Sequence, residues 1–407
     1  MRHATLGPFV VTALLAFHAC SATATTYVVQ PDGLGDYANI QDAVNACSEG
    51  DTVALTDGLF SGLGNVDVVV PSMPITIRSQ SGDPLQCGID CGGSARQEHR
   101  AFHFTDDVGT GDAVLMGISM VNGYTTTHGA GIWIEGADPE IMQCIVAQCT
   151  ADGTMLRGGG MYLSDGADPW IVQCLVAECT GGYGGGVAIF NAAGIFDEVS
   201  VTDNNATNRA GGLYQQGNDG TSFWGCEIVS NDAPSAAGMR IHGSSTLFQY
   251  CNISRNEASA GNAGGVLMQG GTLSNCTLVE NSATGAGGGV YCDFGTGDLE
   301  YCIVAYTEDG SGVCATAGNE PSLSCCDVFG NVEGNYDAVV GDQTGLNDNF
   351  SVDPEFCDLE GGNYGLDANS PCTDTASPCG NWVGAYEIEC DTPVRDISWG
   401  SLKARWR

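Results

Sequence analysis

Two residues after each of a series of glycine marks stand Trp133, Tyr162, Ala188, Tyr214, Arg240, Leu267, Tyr291 and Cys314. Residues on either side, such as Ile132 and Ile134, are apolar. Alternation turns those neighbours inward and this column outward. Trp133, Tyr162, Tyr214, Arg240 and Tyr291 would then put four aromatic rings and a guanidinium on one face. Sugar rings stack on aromatic faces, and exposed apolar surface is informative when it forms a patch. The plainer reading is that outward rings brace neighbouring strands.

Residues able to move protons form no comparable pattern. Lyase chemistry requires Ca²⁺ held by clustered carboxylates and an Arg or Lys to take the proton. Arg157 and Arg209 occupy equivalent places three before their glycine marks, and Asp203 precedes Arg209. No carboxylate cluster recurs beside them. Glycoside hydrolysis requires two carboxylates facing each other across the bond, and Thr127-His128-Gly129 is not the Gly-His-Gly that follows paired aspartates in polygalacturonase-like chains. No catalytic set is assigned. No cofactor is implied, Ca²⁺ being the one ion a lyase would call for. The cysteines offer sulfur without nearby histidine and lack zinc spacing.

The elements that position these residues are legible as a repeat. Glycine followed by an apolar residue recurs at Gly131, Gly160, Gly186, Gly212, Gly238, Gly265, Gly289 and Gly312, about 26 residues apart. A second mark follows each: Cys144, Cys174, Val199, Cys226, Cys251, Cys276, Cys302 and Cys326. Three residues before it stands Ile141, Ile171, Phe196, Phe223, Phe248, Leu273, Leu299 or Leu323. Five residues after it stands Cys149, Cys179, Asn204, Asn231, Asn256, Asn281, Thr307 or Asn331. Short runs of period 2 between Gly, Asn, Asp and Ser are strands and turns. Units this small cannot bury an apolar face alone, so they stack. Each mark then lies over its counterpart in the next coil, and the cysteines read as stacked buried thiols. The asparagines suit a turn needing left-handed backbone or side-chain-to-backbone hydrogen bonds, and stacked asparagines can form a ladder.

This pattern resembles the right-handed parallel β-helix of the pectin-lyase-like superfamily, and more narrowly bacterial secreted β-helix proteins with polymorphic outer-membrane-protein-type repeats. The opening Tyr27-Val28-Val29-Gln30-Pro31-Asp32-Gly33, with Ile40-Gln41-Asp42-Ala43-Val44, is similar to the N-terminal cap of that superfamily. Asp353-Pro354-Glu355-Phe356 and Gly384-Ala385-Tyr386 resemble its C-terminal end. The resemblance implies an all-β solenoid and leaves activity open.

The expected organisation is a signal peptide over 1–24, an N-terminal cap and first coils over 25–110, and repeats over 111–335. A cysteine-containing cap over 336–390 and a tail over 391–407, read as sorting or attachment, complete it. Ile40, Ala43, Val44 and Cys47 form one face of a short capping helix. Cys357, Cys372, Cys379 and Cys390 suggest disulfides in the C-terminal cap.

Composition narrows the partners. The 407 residues carry 49 Asp+Glu against 12 Lys+Arg, a net charge of −37. No basic stripe exists for nucleic acid, and no apolar run is long enough for a transmembrane helix. A polyanion would be repelled unless Ca²⁺ bridged it, so a neutral glycan or a cell-envelope component fits better. The leading expectation is an exported bacterial surface protein, non-catalytic, presenting a face for adhesion or glycan binding. A polysaccharide lyase or hydrolase and a purely structural surface protein are the alternatives.

Overall fold

The structure, a computed structural model, describes residues 24–106, 111–217, 220–388 and 390. The expected signal peptide, Ala24 excepted, and the tail 391–407 lie outside the described residues. The chain winds through four parallel sheets in turn. One coil runs Ile132–Glu135, Glu140–Met142, Ile145–Ala147 and Thr150–Ala151, and these four places define sheets 1 to 4. Among the described residues the sheets hold 10, 12, 11 and 7 strands. This is an all-β parallel solenoid.

The sequence columns are its ladders. Ile141, Ile171, Phe196, Phe223, Phe248, Leu273, Leu299 and Leu323 pair successively in sheet 2. The phenylalanines stack at centroid distances of 4.6 Å for Phe196–Phe223 and 4.2 Å for Phe223–Phe248. Offset-stacked rings add to the burial of their own area. Phe223→Leu should therefore lower unfolding stability by about 1–2 kcal/mol, read from urea titration. The cysteine marks are buried thiols, as the inward column requires. Cys144 and Cys174 donate to the carbonyls of Met142 and Val172 at 3.3 Å. Burial raises the pKa of Cys226, Cys251 and Cys276, which keeps those thiols protonated.

Between sheets 3 and 4 the left-handed residue is the one before the asparagine: Asp203, Ser230, Arg255 and Glu280 all have φ near 55°. The asparagine instead supplies hydrogen bonds. Asn231 Nδ2 donates to Asn256 Oδ1 at 3.0 Å and to the Val201 carbonyl at 2.9 Å. Asn204 and Asn256 repeat the pattern. The ladder ends at Cys179, whose backbone N–H donates to Asn204 Oδ1 at 2.9 Å. The glycine mark is explained by the same crowding. A Cβ on Gly238 would lie 2.5 Å from the Gly265 carbonyl and 2.9 Å from Asn256 Nδ2.

The helix Ile40–Ala46 closes the N-terminal end, burying Ile40, Ala43 and Val44 against the core. Asn39 caps it through a bond from the Asp42 N–H. Cys47 lies just past the helix and is half-buried. At the other end Tyr336 and Val340 close the core. The chain then doubles back. The hairpin Phe356–Asp358 and Asn363–Leu366, with Cys372 and Val383, packs on Ile303 and Ala305 outside sheet 3. Disulfides join Cys325 to Cys379 and Cys357 to Cys390. Cys372 is a free, buried thiol, which corrects its expected place in a disulfide: it packs inside the fold-back against Asp327. No helix among the described residues is long and apolar enough to cross a membrane.

Candidate functional site

The outward column of sheet 1 is present in register. His103 pairs with Trp133, and Trp133, Tyr162, Ala188, Tyr214, Arg240, Leu267, Tyr291 and Cys314 follow one another coil by coil. It is not the open platform expected. The turns leading from sheet 4 into sheet 1 lie against it: Ala210 belongs to one buried cluster with Tyr162, Ala188 and Tyr214, and Ala236 and Ala263 to another with Leu267. Tyr162 and Tyr214 are only 4% and 5% exposed, so they brace the wall. Trp133, Arg240 and Tyr291 are half-buried. The Arg240 guanidinium lies 5.1 Å from the Tyr214 ring centre and donates to Gln269 Oε1 at 2.6 Å.

Chemistry gathers instead at the N-terminal end of the column. The His103 imidazole stacks on Trp133 at 4.4 Å with 12° between the planes. Its Nε2 is 2.9 Å from Glu135 Oε2. The indole Nε1–H of Trp133 donates to Ser164 Oγ at 3.1 Å. The Arg100 guanidinium lies 5.0 Å from the Trp133 ring centre, close enough for a cation–π contact. It donates to the His128 carbonyl at 3.0 Å and to Thr127 Oγ1 at 2.9 Å. His128 faces Tyr162 at 4.7 Å.

The electrostatics follow from burial. His128 Nδ1 accepts the Arg157 backbone N–H at 3.0 Å, which leaves the proton of the neutral ring on Nε2. Burial lowers the His128 pKa, and the charges of Arg157 and Arg100 lower it further. Burial also lowers the Arg100 pKa. Arg157 lies over the Phe190 ring at 4.0 Å, and its buried Nε has no hydrogen-bond partner. Neither Arg100 nor Arg157 is in an ion pair among the described residues, where Arg255–Glu280 is the one such arginine pair. The cluster therefore presents two guanidiniums, a neutral imidazole and a half-buried indole.

Arg157 and Arg209 fall in one row with Tyr183 between them, as their equivalent spacing requires. Asp203 is exposed at the turn between sheets 3 and 4. Among the described residues no group of three or more His, Cys, Asp or Glu is placed to hold a metal. Sequence reasoning missed His103, Glu135 and Arg100. The repeat is first visible at Gly131, and the preceding coil has Ala101 where the mark should be, with Phe102 pairing Ile132. Counting back one coil from Trp133 was the available signal.

Residues 130–301 match the family described as the right handed beta helix region. The fold is a right-handed parallel β-helix. Solved β-helices resemble it at low identity. Pectate lyase Pel9A is 13% identical, with 90% of this chain and 97% of that one covered and a TM-score of 0.47. The alginate lyase from Paenibacillus sp. is 12% identical over 77% and 98%, with a TM-score of 0.39. The A-module of the Azotobacter vinelandii mannuronan C-5 epimerase AlgE4 is 15% identical over 77% and 93%, with a TM-score of 0.40. No curated protein sequence matches the chain.

Proposed function

We propose that this β-helix works outside the cell and binds an acidic polysaccharide at the N-terminal end of sheet 1. One observation carries the reading. In a chain of net charge −37 with only 12 Lys+Arg, Arg100 and Arg157 gather at His128 without an ion pair, beside the half-buried Trp133. Guanidiniums recognise carboxylates through paired N–H donors, and the indole holds the His103 ring and the Arg100 guanidinium against it. The charge of the whole molecule pointed to a neutral glycan. Asp67, Glu98 and Glu135 lie near Arg100 and offset part of its charge, so the cluster is a local concentration of cations in an acidic chain. Two disulfides suit an oxidising compartment.

A second reading is catalytic, and His103 favours it. An imidazole 2.9 Å from a carboxylate and stacked on Trp133 is placed to exchange a proton with bound sugar. A guanidinium beside it would neutralise a uronate carboxylate while His103 takes the proton α to it, the glycosidic C–O bond β to it breaks to leave a C=C bond, and the departing oxygen takes a proton from solvent.

One screen separates the readings. The mature chain is incubated with polygalacturonate, alginate and a neutral glucan, with and without Ca²⁺. Bound protein and unsaturated ends are measured in the same wells. Binding to an acidic polymer that weakens at least about tenfold in Trp133→Ala and Arg100→Gln supports the site, since tenfold is about 1.4 kcal/mol. Unsaturated ends that disappear in His103→Gln make the protein a lyase. Absence of binding and product moves the weight to a structural surface role.

A further inference from the structure

Sheet 2 carries a second exposed surface that the sheet 1 site does not use. Trp170, Ile195, Trp224 and Tyr250 are 44%, 51%, 48% and 40% exposed, high values for large apolar side chains clustered on a sheet. Trp170, Ile195 and Trp224 flank the inward Ile171, Phe196 and Phe223, so alternation sends them outward, and Tyr250 stands in the turn after the strand Leu247–Gln249. Trp170 pairs with Ile195, and Asp197 pairs with Trp224. Trp224 lies 4.7 Å from Tyr250 at 54°. Trp170, Ile195, Asp197 and Trp224 line one open depression of about 460 Å³.

The charge around this ledge selects its occupant. The outward positions of sheet 2 from Glu140 to Ser324 include Glu140, Asp197, Asp298 and Glu300 and not one Lys or Arg. An anionic polymer is therefore repelled. A second copy of this chain would bring a further −37. A basic peptide would need carboxylates spaced along its length, and Asp197 is the one that lines the depression. Trp170 and Trp224 stand two coils apart and two residues apart along the strand, about 12 Å on a diagonal at the spacings of parallel strands. Two rings of one extended glycan chain can span that distance. The Asp197 carboxylate, which has no side-chain hydrogen bond among the described residues, lies between them to accept from sugar hydroxyls.

We propose that the Trp170–Ile195–Asp197–Trp224 ledge on sheet 2 binds an uncharged polysaccharide chain, with the two indoles as stacking platforms and Asp197 as the hydroxyl acceptor. The site is independent of the acidic-polymer site on sheet 1.

Affinity electrophoresis in native gels containing hydroxyethylcellulose, xyloglucan or galactomannan tests this. At least one polymer should retard the wild-type chain. Trp170→Ala and Trp224→Ala should each weaken that retardation at least tenfold, Asp197→Asn less, and Trp133→Ala not at all. Both indoles are exposed, so the variants should keep the wild-type melting temperature and far-UV circular dichroism. Failure of all three polymers to retard the wild type overturns the proposal. So does retardation that survives in both tryptophan variants. A dimer in sedimentation that Trp224→Ala dissolves would make the ledge a self-association surface. Oligolysine binding lost in the same variants, without glycan binding, would make it a peptide site. Either result overturns the glycan assignment.

Discussion

Asn256→Ala should destabilise the central coils by about 3–5 kcal/mol. The side chain is fully buried. Its Oδ1 accepts from the backbone N–H and Nδ2 of Asn231, both at 3.0 Å. Its Nδ2 donates to the Ile228 carbonyl and to Asn281 Oδ1, both at 2.9 Å. Alanine would leave two buried donors without an acceptor and would take one donor from each of two acceptors. Each buried polar group left unpaired costs roughly 1–3 kcal/mol. Water cannot substitute easily, because the Gly238 backbone packs against the amide. Asn256→Asp is the sharper control. It keeps the size and the acceptor but aims an oxygen at the Ile228 carbonyl and Asn281 Oδ1, so it should be at least as damaging. Urea unfolding measures the loss, and hydrogen exchange should quicken between Asn204 and Asn281. A cost below about 1 kcal/mol for Asn256→Ala would remove the ladder from the forces holding the stack.

The reason this position could be found without coordinates is physical. A solenoid converts sequence period into spatial register, so a column read in the chain becomes a ladder in the fold. Phe196, Phe223 and Phe248, the cysteine marks and the asparagines all obey this rule. It fixes which way a side chain leaves the sheet and says nothing of what returns to cover it. Trp133 and Tyr162 are equivalent in sequence and adjacent in sheet 1, yet one is half-buried and the other buried. The turns from sheet 4 obey the period too, with Gly129, Gly158, Gly184, Ala210, Ala236, Ala263 and Gly287 two before their glycine marks and all left-handed, so the difference lies in what packs over each ring. His103 was hidden by Ala101 replacing a glycine mark. Trp170 and Trp224 stand one residue from the inward column but on opposite sides of it, so no single column of the repeat contains both. The C-terminal fold-back was beyond pattern reading, since pairing Cys325 with Cys379 spans 54 residues and connectivity does not follow from spacing.

That fold-back should hold more tightly at pH 5 than at pH 8, and Asp327 should be the cause. The strand Asp327–Phe329 starts with this carboxyl, which is fully buried. Its Oδ1 accepts the Val352 N–H at 3.1 Å, and its Oδ2 accepts the Cys372 thiol at 3.3 Å. Burial pushes its pKa up to about 7, the Val352 and Cys372 hydrogen bonds oppose the rise, and the nearby Asp353 charge adds to it. In the unfolded chain the same group ionises near 3.9. Below pH 4 both states hold the proton and the full stability is present. Between pH 4 and 7 the unfolded chain has lost the proton that the fold retains, so stability falls as pH rises. Above 7 the loss is complete. A rise of about three units at 1.36 kcal/mol each amounts to roughly 4 kcal/mol. His128 acts in the opposite sense, because its lowered pKa favours the fold as pH rises toward 6.5. Comparison with Asp327→Asn therefore isolates the carboxyl. The variant should be more stable than wild type at pH 8, with a flatter pH dependence, and hydrogen-exchange protection across 352–388, corrected for the intrinsic rate, should no longer fall at high pH. Wild-type and variant stability curves that run parallel from pH 5 to 8 would show that Asp327 ionises without cost, and that the fold-back admits water to it.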